Sequence, residues 1–357
     1  MRSCAGWLAR VVLPAWLARR NPLMPGYEAR PVTPLDLGLV RRLIAQRLPL
    51  DVAHTLARGL PGIEGVLLSS VPLADLGAPT IVIRNGEGGL LGQVRQRPCR
   101  GVAHVTFLAP EPQAAHLPSW MQLIEALVSE AGKRGATLVS AEVAEDHAVF
   151  AAFRQTGFAV YSRQTILRRE PGRAAGDPAL LRPETEEDAI AISTLQANTV
   201  PRLLAQAEPL PEPDHSGLIY EKDGHIAAYL LVIEGKNGVV IKPYFHPEVY
   251  DQTAAVVLSA LSHIPRAAEV PVFLYARAYQ DWLRGVLERV AFRPCTEHAL
   301  MVKHTMHRVE RPEPVTMPGL EASRRRPPVV DGPVTRISKS RNLFSRWPLW
   351  RHNGNHR

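Results

Sequence analysis

Three side chains in the first half of the sequence can take up or release a proton inside a protein site: His104, Glu142 and Tyr161. An imidazole, a carboxylate or a phenol beside a reacting group serves as general base or acid. Each also has a plainer reading. His104 alternates with Thr106 along an apolar run and fits a half-buried strand position. Glu142 fits a solvated strand-end acid or an ion-pair partner, and Tyr161 a packed strand aromatic with its hydroxyl at the surface. Other chemistries lack their residues. Cys4, Cys99 and Cys295 are odd in number and widely spaced, giving neither a disulfide framework nor a CxxC pair, which suits a reducing cytosol. The histidines form no HExxH pattern, so no metal is expected.

The elements that would position these groups occur twice. Arg30-Pro31-Val32-Thr33-Pro34-Leu35-Asp36 matches Arg182-Pro183-Glu184-Thr185-Glu186-Glu187-Asp188 as RPxTxxD, each ahead of a helical pattern. FLAPE (107–111) corresponds to YFHPE (244–248), and DHAVFAAFRQTGF (146–158) to QDWLRGVLERVAF (280–292). The matches keep their order while the spacing tightens, as in a duplicated domain with shortened loops. At 357 residues the chain has room for two domains. We expect an N-terminal extension (1–28), a first domain (29–170), a linker (171–178), a second domain (179–309) and a tail (310–357).

Within the first copy, residues 80–84, 89–96 and 101–109 read as strands joined by turns. Trp120, Ile124, Leu127, Val128 and Ala131 share one helical face. Residues 137–143 read as a strand, 147–156 as a helix and 158–168 as a closing strand. The second copy repeats this through 217–234, 239–245, helix 252–263, strand 270–276, helix 281–289 and closing strand 295–304. The class is α/β or α+β with mixed sheets, each copy closed by its own last strand.

This order, in tandem, resembles the GNAT N-acetyltransferase superfamily over nearly all of 29–309. The most specific points are a strand ending in Pro-Glu before a long helix (Pro110-Glu111, Pro247-Glu248) and the helix ending at Gly157-Phe158. The resemblance implies acetyl-CoA as cofactor and a small-molecule or peptide amine as acceptor. It implies a loop of the form (Gln/Arg)-x-x-Gly-x-(Gly/Ala), whose backbone N–H groups cradle a pyrophosphate at a helix N-terminus. In the first copy Leu108, Gln113, Ala114, Ala115 and His116 take the cofactor-binding positions, with His116 and Pro118 replacing both small residues. In the second copy Tyr250, Thr253 and Ala255 do so, and neither loop contains glycine. Ser119 to Gln122 reads as a capping box, and Asp251 as an N-cap that brings negative charge to the anion site. The resemblance also implies an amine base, for which His104, Glu142 and Tyr161 are the candidates. Phe153 and Leu287 stand where the family often has a proton-donating Tyr. The fold implies a V-shaped opening between the fourth and fifth strands, and side chains filling it would favour a dead site.

Three functions stay open: an acyl-CoA-dependent N-acyltransferase working through one copy, a non-catalytic scaffold or ligand sensor, and an interaction protein acting through its tail. From Arg324 to Arg357 nine positive side chains face the single acid Asp331, which accounts for the whole net charge of +8. The tail's prolines and charge indicate disorder. Phe344, Trp347, Leu349 and Trp350 among basic residues suit an anionic membrane or single-stranded nucleic acid. The apolar run 4–20, broken by Arg10 and Pro14, is too short to span a bilayer, and a cytoplasmic protein is expected.

Overall fold

In the computed structural model, residues 28–305 are described apart from 61, 63–65, 67–77, 86–87, 97–100, 114–115 and 211–214. The basic tail and all but the last residue of the N-terminal extension lie outside the described residues.

The RPxTxxD motif folds the same way twice. After strand β1 (Ala29–Pro31) the chain turns into helix α1 (Leu37–Ile44) around the buried Asp36 carboxylate. It accepts from Arg30 at 2.7 and 2.8 Å, from the Thr33 N–H and hydroxyl at 2.9 Å each, and from Arg84 Nε at 2.9 Å. Burial pushes its pKa up, but the bonds from Arg30, Thr33 and Arg84 hold it well below the usual carboxylate range. After β8 (Arg182–Pro183), Asp188 accepts from Arg182 at 2.8 Å twice and from Thr185 at 2.8 and 2.9 Å, leading into α5 (Ala189–Thr199).

The first half continues through β2 (Leu48–Pro49), α2 (Val52–Arg58), β3 (Thr80–Asn85), β4 (Gly88–Gln96), β5 (Val102–Ala109), α3 (Leu117–Lys133), β6 (Leu138–Val143), α4 (Val149–Gln155) and β7 (Ala159–Arg169). The second half follows with α6 (Arg202–Ala207), β9 (Ser216–Lys222), β10 (His225–Glu234), β11 (Val239–Phe245), α7 (Thr253–His263), β12 (Val272–Arg277), α8 (Asp281–Arg289) and β13 (Arg293–His304). The expected strands and helices are present to within a few residues. The helix ends match too: Gly157 (φ +88°) ends α4 and Ala291 (φ +68°) follows α8, each setting a Phe N–H back onto the helix at 3.0 Å.

The strands form one sheet, not the two expected. Its order is β1-β3-β4-β5-β6-β13-β7-β12-β11-β10-β9-β8, with β2 attached to β5. It reads alike from both ends when the halves are exchanged, so a pseudo-twofold axis passes between β13 and β7. The closing strands have changed places: β13 pairs with β6 of the first half, β7 pairs with β12 of the second, and the two pair with each other. Their apolar residues suit a strand buried on both edges, but that pattern does not say which neighbour each meets.

Helices α3 and α4 cover one face of the first half, burying Leu123, Ile124 and Leu127 against Val105 and Val139. Helices α7 and α8 repeat this on the second half. On the opposite face the halves interlock. Val52, Ala53 and Ala57 of α2 pack with Ile192, Leu195 and Leu204 onto β10–β12 of the second half. The linker is threaded along α7, where Ser262 Oγ donates to Ala174 O at 2.9 Å. A Cβ on Gly176 would lie 2.2 Å from the Leu258 backbone, so only glycine permits that approach.

The two motif copies differ in burial, and this yields a paired prediction. Asp36→Ala leaves the Thr33 N–H without its acceptor over a buried gap and frees the half-exposed Arg30 and Arg84, and should cost about 2 kcal/mol. Asp188→Ala breaks a more exposed ring and should cost about 1 kcal/mol. Urea unfolding of both variants measures the difference, and equal losses would contradict the burial argument.

Candidate functional site

The site is built where parallel strands part. β5 and β6 pair only through Val102–His104 and Leu138–Ser140, and β11 and β12 only through Val239–Ile241 and Val272–Leu274. Beyond those points each pair opens. In the first half the opening holds the segment Leu48–Asp51. Leu48 pairs with Leu108 and Pro49 with Phe107. The Leu50 N–H donates to Thr106 O at 2.9 Å, and Leu50 O accepts from the Glu142 N–H at 3.2 Å. The two peptide groups flanking Leu50 thus bond one strand each, and the residue bridges the opening. In the second half a side chain does this: Gln280 Nε2 donates to Pro243 O at 2.9 Å, and its Oε1 accepts from the Arg277 N–H at 3.3 Å.

Beside the first opening lies a narrow cleft that opens to solvent. His104, Glu142 and Tyr161 all line it, together with Asp51, Glu208 and Lys242. Glu208 follows α6 and Lys242 stands on β11, so both halves build the cleft. Strand periodicity explains the gathering. Ser140 and Glu142 share a face of β6, and His104 sits opposite Ser140 in register, its Nδ1 2.6 Å from Ser140 Oγ. Asp51 starts α2, bonded to Arg95 and to His54 Nδ1 at 3.1 Å. Burial pushes the Asp51 pKa up, but His54 and Arg95 overcome it and hold the carboxyl ionised.

A chain of hydrogen bonds crosses the seam between the halves. Tyr161 donates to Glu208 Oε1 at 3.1 Å, Glu208 pairs with the buried Arg277, Arg277 bonds Gln164, and Gln164 Nε2 donates to Glu142 Oε2 at 3.1 Å. Arg277 also lies over the Tyr275 ring, 5.6 Å from its centroid. Burial, with Glu208 adding to it, raises the Tyr161 pKa far above the ordinary phenol value, so its proton stays in the bond to Glu208. Asp51, Glu208, Lys242 and Arg277 are absent from the set read out of the sequence. The signal was a lone charge inside an apolar strand run: Lys242 in VVIKPYF and Arg277 at the end of VFLYAR.

No family model matches the sequence, and no curated protein matches it. Solved structures do. A GCN5-related N-acetyltransferase from Sphaerobacter thermophilus is 17% identical, with 78% of this chain and 96% of that one covered and a TM-score of 0.50. The fold is that of the GNAT N-acetyltransferases. A tandem GNAT protein from the clavulanic acid biosynthesis pathway aligns at 16% identity over 78% of this chain and 98% of its own, with a TM-score of 0.48.

The GNAT fold implies acetyl-CoA, and the residues present do not fit it. Leu108 is buried in the core, and its backbone edge is paired with Leu48. Gln113 and His116 are exposed in the loop before α3, whereas Ala114 and Ala115 lie outside the described residues. Tyr250 stacks on Trp282 at 3.8 Å between centroids, Thr253 is fully buried with its hydroxyl on Val249 O, and Ala255 is exposed on α7. Two expectations about the helix starts are corrected. Helix α3 begins at Leu117, so Ser119 is inside it, and Asp251 lies in a 3-10 turn ahead of α7. Neither helix has a side-chain cap: Pro118 stands in the first turn of α3, and a 3-10 turn opened by Pro247 leads into α7. Phe153 is in the core, edge-on to Phe158 at 4.9 Å, and Leu287 is buried under the second sheet, so both stand away from the cleft. Among the described residues no group of His, Cys, Asp or Glu could hold a metal, and no helix is long and apolar enough to cross a membrane.

Glu142 supplies the site's pH dependence. Burial, the largest cause, together with Asp51 and Glu208, outweighs Arg277 and Lys242 and raises its pKa from 4.5 to about 7. A carboxyl with a raised folded-state pKa stabilises the fold below its ordinary value and loses that contribution as pH rises through about 7. Stability should therefore fall between about pH 5 and about pH 8, and Glu142→Gln should reduce that fall by on the order of 2 kcal/mol. Urea unfolding at both pH values checks this; an unchanged fall would show that Glu142 is not the group.

Proposed function

We propose that this protein uses the GNAT fold to bind a compact polar ligand at the seam of its halves, as a ligand sensor or scaffold. The observation that carries this is the cleft itself. Carboxylates from both halves (Asp51, Glu142, Glu208) and the Lys242 ammonium face one space, while the strand edge beside it is filled by the chain. Groups of both signs suit a small zwitterion, such as a free amino acid, with its ammonium toward Glu142 and its carboxylate toward Lys242. The ends of both halves would feel such a ligand, which is what a sensor requires.

Transfer of an acyl group to an amine is the second reading, and one observation favours it: a carboxyl with a pKa of about 7 can accept an ammonium proton at neutral pH. The partly buried, bonded Tyr161 and the filled strand edges weigh against it. The two readings separate in a pair of assays. Thermal shift against the common amino acids and small amines should find a stabilising ligand whose effect disappears in Glu142→Gln and Lys242→Met. Acetyl-CoA mixed with the same amines should release no CoA. Turnover by the native protein that Glu142→Gln abolishes would overturn the sensor reading.

A further inference from the structure

The second half holds a smaller cavity behind the cleft. Past Ile241 and Leu274 strands β11 and β12 part. Strand alternation puts Lys242 and Tyr244 of β11 on the same side as Tyr275 and Arg277 of β12. Gln196 of α5 and Leu204 of α6 close over them, which leaves an inner chamber with room for about one water molecule. Two of its walls, Glu208 and Lys242, also line the cleft, so chamber and cleft meet at a common partition.

One group in the chamber is unsatisfied. Tyr275 is 1% exposed, and its hydroxyl has no hydrogen-bond partner among the described residues. A buried hydroxyl left unpaired is destabilising. The polar side chains around it bond elsewhere. Arg277 is tied to Glu208 and Gln164 and lies over the Tyr275 ring, not its hydroxyl. Gln280 spans Pro243 O and the Arg277 N–H, and Gln196 Nε2 donates to Glu208 O at 3.0 Å. Burial, with Glu142 adding to it, raises the Tyr275 pKa far above the ordinary phenol value. The phenol therefore keeps its proton and is a donor in want of an acceptor.

We propose, resting on the amino-acid reading of the cleft, that this chamber receives the ligand's side chain and that the ligand is a small hydroxylated amino acid such as serine or threonine. Glu142 and Lys242 meet the ammonium and carboxylate that every amino acid carries, so they cannot tell one from another. The chamber can. Its size admits one polar heavy atom beside the partition and turns away amide, acidic and aromatic side chains. Tyr275 then sorts what fits: a hydroxyl oxygen accepts its proton, whereas a methyl group of the same size leaves it buried and unpaired.

Calorimetry on the full-length protein tests this with L-serine, L-alanine, L-threonine and L-valine as probes. Serine should bind about tenfold or more tightly than alanine, and threonine should exceed its isostere valine by a similar factor. Tyr275→Phe should erase both preferences while leaving alanine affinity within about twofold. The same variant without ligand should keep its urea midpoint, because the hydroxyl removed pairs with nothing in the fold. Equal binding of serine and alanine overturns the proposal, as does a serine preference that survives Tyr275→Phe. A lowered midpoint in Tyr275→Phe also overturns it, since the phenol would then be bonded inside the resting protein. Each of those results leaves the cleft reading standing. Binding of none of the four amino acids, or binding that Lys242→Met leaves unchanged, overturns the cleft reading and the proposal with it.

Discussion

The exchange of β7 and β13 is the constraint on which the rest of the molecule depends. Each closing strand leaves its own half and pairs along both edges, so the centre of the sheet belongs to neither half alone. Buried strands paired on both sides leave no free backbone groups, and separating the halves would require β6 to find a new partner. The same crossing carries Gln164 and Tyr161 into reach of Arg277 and Glu208, and it lets α2 dock on the opposite half. A charged network at the seam is thus a product of topology.

That network is costly unless each member is paired. Arg277 is buried and bonded to both Glu208 and Gln164, which in turn holds Glu142. Removing Arg277 or Glu208 alone would leave an uncompensated charge in a low-dielectric setting. Glu142 is the least comfortable member, near two other carboxylates, and it responds by holding its proton up to about pH 7. Alongside, the openings inherited with the fold are closed by amides of the chain. The architecture is that of the GNAT fold, with its strand edges satisfied internally and its polar groups gathered between the halves.

Much of this was legible in the sequence. The RPxTxxD repeat predicts two copies of one turn, and both form the same carboxylate-centred ring because Arg, Thr and Asp at that spacing can satisfy each other locally. His104, Glu142 and Tyr161 lie on three strands consecutive in sequence, the last two separated in the sheet by β13, and they meet in one cleft. What sequence could not convey is nonlocal. Alternating apolar residues in β13 specify a buried strand but not that β6 is its neighbour. Leu48–Asp51 looks like a connection between helices, and only its position in space makes it a strand. Glu208 sits in a proline-rich stretch with no periodicity, so nothing marks it as the partner of a distant arginine. The misplaced caps at Ser119 and Asp251 show a related limit: residue preference gives a helix start only to within a few positions, and a preceding turn decides it.

A disulfide trap tests the strand exchange most directly. Val143 of β6 and Ala299 of β13 are paired in register. With Cys4, Cys99 and Cys295 replaced by serine, Val143→Cys and Ala299→Cys should oxidise to a bond within one chain, seen by peptide mapping. Failure of that pair to form, with Cys at position 143 cross-linking instead to a cysteine placed on β7, would mean that each half keeps its own closing strand. The shared cleft would then lose its foundation.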